Sequence, residues 1–120
     1  MSADFKQGLN LLGKILASGQ LAGTSDTTVY TVPASSAVKV ATAVLANVTG
    51  STVTVSVSVV PSGGTVDGTH KVVSSYSLAA NDSTKLTEVE GSMLDAGAFI
   101  SVIASTGAAV NYLLTGAVSS

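Results

Sequence analysis

The stretch Ser51-Thr52-Val53-Thr54-Val55-Ser56-Val57-Ser58-Val59-Val60, set between Gly50 and Pro61, decides the fold class. Successive side chains of an extended chain point to opposite faces, so Val53, Val55, Val57 and Val59 share one side and Thr52, Thr54, Ser56 and Ser58 the other. A helix would scatter those valines round its circumference. Every residue of the run is β-branched or small and hydroxylic, which suits a pleated surface with one buried face. The polar face is uncharged, whereas solvent-facing strands usually carry Lys, Glu, Arg or Gln. A Ser/Thr face therefore predicts weak exposure, a packed neighbour, or a surface that touches another protein.

Upstream, Ser36 to Val48 reads as a long strand joined to this one by a tight Thr49-Gly50 connection. Val38, Val40, Thr42, Val44 and Ala46 alternate with Ala37, Lys39, Ala41, Ala43 and Leu45, so both faces are largely apolar and the strand is expected to be covered on two sides. Thr27 to Pro33 forms an earlier strand. Downstream, Pro61 to Thr69 holds three glycines and a proline and reads as an exposed loop, with Ser62, Gly63, Gly64, Asp67 and Gly68 pointing outward. Strands are expected at His70 to Leu78, Ser83 to Glu90, Ala98 to Ser105 and Ala109 to Val118, separated by turns at Ala79 to Asp82, Gly91 to Gly97 and Thr106-Gly107. The spacing of roughly ten residues is that of an all-β antiparallel sandwich of about seven to eight strands, jelly-roll or Ig-like.

The start of the chain has a different period. Phe5, Leu9, Leu12 and Leu16 recur at helical spacing, with Leu11 and Ile15 widening the stripe and Lys6, Gln7, Asn10 and Lys14 opposite. Ser2 suits an N-cap, Asp4 the positive end and Gly19 the stop. A short amphipathic helix over residues 3–18 is thus predicted, within an arm of residues 1–20 ahead of a body of residues 27–120. Gly8 and Gly13 each cost about 1 kcal/mol relative to Ala, so this helix needs a surface to lie on. That surface is the open end of its own sandwich or a neighbouring subunit. Two lysines are too few for strong attraction to anionic lipid.

Only 10% of the 120 residues are charged, against roughly 25% in an ordinary soluble domain. Charge is the usual protection of sheet edges, so the deficit points to an oligomer. Five lysines, no arginine and a net charge of −2 argue against binding nucleic acid through phosphates. No run approaches the length of a membrane-spanning helix, and Asp4, Gly13 and Lys14 spoil a secretory leader. Without cysteine there is no disulfide, thiolate metal site or thiol nucleophile.

Catalytic patterns are sparse. His70 is the only histidine and lacks the partners of a triad or zinc site. Glu88 and Glu90, two apart on one expected strand face, do not frame a cleft as glycosidase carboxylates do. Asp67, Asp82 and Asp95 sit in turns, where Asp bonds locally. Asn47-Val48-Thr49 and Asn81-Asp82-Ser83 match the glycosylation pattern by chance, and Gly63-Gly64 and Asp67-Gly68 lack the ending of a phosphate loop. No enzyme, cofactor or metal site is expected. A carbohydrate-binding sandwich would use aromatic platforms; Tyr30, Tyr76 and Tyr112 read more economically as core-edge residues.

Three segments carry a resemblance: Thr28-Val29-Tyr30-Thr31-Val32-Pro33-Ala34, Leu78-Ala79-Ala80-Asn81-Asp82-Ser83, and Leu94-Asp95-Ala96-Gly97-Ala98-Phe99-Ile100-Ser101-Val102 followed by Ala104-Ser105. Over residues 27–118 the chain resembles small β-sandwich structural proteins of tailed bacteriophages. In similar proteins the last motif often reads Leu-x-x-Gly-Asp, and here Ala98 replaces the Asp. The resemblance implies a non-enzymatic virion component assembled in the host cytoplasm, a capsid decoration protein or an accessory of the tail or its fibres. Many identical copies on a lattice suit a compact body with one docking arm, which favours decoration. The expected partners are further copies of the chain in a homotrimer and the major capsid or tail protein, met through Phe5, Leu9, Leu12 and Leu16. No nucleic acid and no membrane are expected. A soluble sugar-binding module, or a host-surface glycan as an added ligand, is the rival reading.

Overall fold

A computed structural model describes the backbone of residues 11–119 and the side chains of residues 13–119. The valine-rich run forms β4 (Val53–Val60), an inner strand of a four-stranded antiparallel sheet in the order β2 (Thr27–Thr31), β8 (Phe99–Ala104), β4, β5 (Lys71–Leu78). Facing it is a second antiparallel sheet in the order β1 (Leu11–Gln20), β9 (Val110–Ser119), β3 (Ala37–Asn47), β6 (Ser83–Lys85), with β7 (Met93–Leu94) also on the outer edge of β3. The fold is an all-β sandwich.

Its core fills the space between the sheets. Val53, Val55 and Val57 of β4 and Ile100, Val102 and Ala104 of β8 meet Ala43 and Leu45 of β3 and Val110 and Leu114 of β9. Each fully buried valine contributes roughly 1.5–3 kcal/mol relative to leaving it exposed. The connection after β1 also joins the core, through Leu21.

The hydroxyl face of β4 is closed within the chain at Ser56 and Ser58, while Thr54 is half-buried and Thr52 exposed. Ser58 lies directly opposite Ser101 of β8 and Ser56 opposite Ile103; Ser58 is 2% exposed and Ser101 1%. Of the three readings of that face, weak exposure is the one the structure supports. Ser56 also has a local task. β5 is bulged against β4, Ser75 adopts φ 51°, and its N–H donates to the Ser56 hydroxyl at 2.8 Å. The Ser101 hydroxyl, in contrast, is buried with no hydrogen-bond partner. The two serines should therefore respond in opposite directions. Ser56→Ala strands the Ser75 N–H and is expected to cost about 1–2 kcal/mol, whereas Ser101→Ala removes an unsatisfied hydroxyl and should be neutral or stabilising. Urea unfolding of both variants checks the contrast.

Strand β3 corrects a second expectation. Its register against β9 shifts between Val40 and Thr42, leaving Ala41 as the extra residue of a bulge. Val38 and Val40 face the core before the bulge, and Ala43, Leu45 and Asn47 after it. The strand reads as apolar on both sides because one core-facing row changes sequence parity halfway.

The helix predicted over residues 3–18 is replaced from Leu11 onward by β1, which pairs with β9 along its length. Residues 1–10, with Phe5 and Leu9, lie outside the described residues. The physical reason is the spacing itself. Leu12 and Leu16, and Leu11 and Ile15, are four apart, which puts each pair on one side of a helix and equally on one side of a strand, because four is even. The exposed ladder of β9 decides between them.

Ser83 to Glu90 is likewise a strand only as far as Lys85. Leu86 and Val89 are both buried at a spacing of three, which requires a turn, and Val89 and Glu90 donate their N–H groups to the Leu86 carbonyl at 2.9 and 3.0 Å. Where this turn leaves β3 without a neighbouring strand, the Glu90 carboxylate accepts the Ala43 N–H at 3.1 Å.

Candidate functional site: the outer face of the five-stranded sheet

The ladder register lays out the solvent side of this sheet row by row. Ile15, Thr115 and Thr42 form one row; Ser18, Leu113, Val44 and Lys85 the next; Gln20, Asn111, Ala46 and Ser83 a third. At the other end, Gly13, Ala117, Lys39 and Met93 align. Ile15 is 61% exposed, Leu113 38% and Met93 80%. Lys39 and Lys85 are the only ionisable groups in these rows, both toward the β6/β7 edge, so the part over β1 and β9 carries none. Thr115 donates its hydroxyl to Thr42 at 2.7 Å across β9 and β3, so even this polar pair satisfies itself. The result is a broad surface, uncharged over β1 and β9 and carrying two lysines toward the β6/β7 edge, with apolar side chains at its middle, better suited to meeting another protein than to facing water alone.

Of the residues expected to dock, Phe5 and Leu9 lie outside the described residues. Leu12 takes its backbone place opposite Val118, and Leu16 is half-buried against the core, so Leu16 serves the sandwich itself. Ile15, between them, is the residue that faces out.

The expected loop is present and exposed at Ser62, Gly63, Asp67 and Gly68, with Gly64 half-buried. Gly63 takes φ 81°, a left-handed conformation that suits glycine, and the Gly64 N–H donates to the Pro61 carbonyl at 2.9 Å. Asp67 accepts from the Thr69 hydroxyl, from the Thr69 N–H at 2.9 Å and from the Thr65 hydroxyl at 3.3 Å, with the His70 ring at 3.2 Å. The Thr69 bonds, above all its hydroxyl, hold the Asp67 carboxyl below its usual range, with His70 adding to the effect. The loop ordering is therefore expected to be complete above the ordinary carboxylate pKa, roughly 3.9, and to be lost as pH falls through the lower folded value. The Thr69 amide shift and exchange rate, followed by NMR against pH, check it.

Other candidates resolve into structural roles. His70 Nδ1 lies 2.8 Å from the Thr65 carbonyl, closing the same loop. Glu88 is exposed while Glu90 is bound to β3, with Lys85 Nζ at 3.9 Å, so the two carboxylates are not a pair on one strand face. Tyr30 on β2 and Tyr76 on β5 stand at opposite edges of the four-stranded sheet, and Tyr112 is on β9 of the other sheet, so the three do not build one aromatic platform. Burial raises the pKa of the Tyr30 hydroxyl. Beside the loop, a groove of about 400 Å³ is lined by Val59, Val60, Ser62, Met93, Leu94 and Ala98, among others. Among the described residues no three His, Asp or Glu side chains gather as a metal site, and no helix is long and apolar enough to cross a membrane.

Sequence reasoning missed Asn47. It is buried, and its amide donates to the carbonyls of Ser51, Leu78 and Ala79 at 2.7, 3.0 and 3.1 Å. Its Oδ1 accepts from the Thr49 N–H at 3.0 Å and the Thr49 hydroxyl at 2.7 Å. The available signal was Asn followed two residues later by Thr at a strand end, a local turn pattern. No protein-family model matches the chain, and no curated protein matches it at a significant level.

Proposed function

We propose that this protein is a non-enzymatic structural component of a tailed-bacteriophage particle, a self-associating accessory of the capsid decoration type. The observation that carries the reading is the sparsely charged, partly apolar outer face of the five-stranded sheet, centred on Ile15, Leu113 and Val44 and free of ionisable groups over β1 and β9. A sandwich with so few charges gains solubility by covering such a face, and a lattice of coat subunits supplies many equivalent places for it. The resemblance of residues 27–118 to phage β-sandwich proteins supports the same conclusion.

The test is incorporation into particles. Leu113→Lys and Val44→Lys place charges on the face while pointing away from the core, so the variants should fold. They are expected to reduce the copies recovered with purified particles at least tenfold; normal incorporation of both would remove this face from the proposal. Shortening the chain by residues 1–10 asks separately whether Phe5 and Leu9 contribute. A cut at residue 20 would not ask that, because it takes away β1.

A further inference from the structure

The sandwich has four outer strand edges, and three of them are poor templates for pairing. β2 is five residues long with a register irregularity, β5 has two irregularities and a left-handed Ser75, and the β6/β7 edge is broken by the turn between its two short strands. β1 differs. It runs for ten residues and, among the described residues, pairs only with β9, so about half of its backbone N–H and C=O groups point away from the sheet. Lys14 is its one charged residue, and the exposed Ile15 puts a large apolar side chain at the edge, in the row beside that of Leu113 and Val44.

We propose that β1 is where a second copy of this chain adds, antiparallel and about a two-fold axis, joining the two five-stranded sheets into one. The inference rests on the self-association in the reading above, names its surface, and puts a two-fold pair in place of the homotrimer expected from sequence.

The irregularity at Leu16 fixes the register. Gly13 and Ile15 share the outer face with Ser18 and Gln20, because the extra residue at Leu16 changes parity between them. In an antiparallel self-pairing across that change, outer residues meet outer residues only when the two position numbers sum to an odd value. An axis at the middle of the strand meets this condition, setting Gly13 opposite Ser18 and Lys14 opposite Ala17 of the second copy. No like charges then oppose each other, and the two Ile15 side chains come together diagonally on the outer face, where cross-strand apolar pairs stabilise a sheet. A net charge of −2 offers little long-range repulsion to a second copy.

The chain has no cysteine, so single cysteines report pairing directly. Under mild oxidation of the full chain, Ile15→Cys alone is expected to form a disulfide dimer. A mixture of Gly13→Cys and Ser18→Cys chains should give the mixed dimer in at least fivefold excess over either self-dimer. Ser77→Cys on β5 should give neither. Light scattering of the unmodified protein should show twice the chain mass at high concentration, and Ser18→Lys should weaken that association at least tenfold. A dimer whose cross-links appear equally at Ser77 overturns the edge. A trimer overturns the two-fold and leaves the virion reading standing. A monomer up to millimolar concentration overturns the self-association in both.

Discussion

Asn47→Asp is expected to lower stability by about 3 kcal/mol, because the two amide hydrogens shared among three carbonyls are lost and an acceptor oxygen is left facing those carbonyls, at roughly 1–2 kcal/mol for each lost donor. The substitution is nearly isosteric, so no cavity enters. It replaces an amide donor by an oxygen facing the carbonyls of Ser51, Leu78 and Ala79, all within 3.1 Å of the present nitrogen. Asn47 is 1% exposed and its bond to the Leu78 carbonyl is buried, so water cannot replace the amide there, while the Ser51 and Ala79 carbonyls are only partly enclosed. The carboxyl must either stay charged against three acceptors or bind a proton, and both options weaken the junction between the β3–β4 turn and the end of β5. At roughly 4 °C per kcal/mol for a chain of this size, the melting midpoint should fall by about 12 °C at neutral pH. Lowering the pH should recover part of the loss, since the neutral acid regains one donor. A midpoint within about 2 °C of the unmodified protein would show that the three bonds contribute nothing net.

Gly116→Ala is the second large effect. Gly116 lies on β9 between β1 and β3, next to the irregularity at Ala41 in β3 and one residue away from that at Leu16 in β1. A Cβ there would fall inside van der Waals contact with the Lys39 carbonyl oxygen and 3.1 Å from the Leu16 Cδ1. The first obstacle is backbone, so β3 itself must move. Overpacking of this kind costs about 1–3 kcal/mol, and the upper end is expected because two ladders share the strain. Gly13→Ala is the control: its Cβ meets nothing within 4 Å, and the change should be neutral. Chemical unfolding of the pair separates steric conflict from any general preference for glycine. Equal midpoints would show that β3 gives way without cost.

Much of the sandwich was legible because β4 and β9 keep alternation over runs of eight to ten residues and β8 is a short apolar run bounded by turn residues. The bulge at Ala41 and the irregularity at Leu16 were not legible, since each is one unpaired residue whose cause lies in a partner strand distant in sequence. The same is true of β1, whose four-residue spacings fit two periods and whose pairing partner is at the opposite end of the chain. The outer face could not be assembled from sequence either. Its rows combine Ile15, Leu113 and Val44 from three strands, and only the register puts them side by side. The hydroxyl run of β4 pointed instead to the four-stranded sheet, where its serines are enclosed.

The two irregularities near Gly116 have a bearing on how this chain can vary in length. They act as matched inserts: losing Ala41 alone would return β3 to unbroken alternation and turn either Val38 and Val40 or Ala43 and Leu45 toward solvent. Tolerated insertions and deletions should therefore fall in the connections, while β1 and β3 hold their frame.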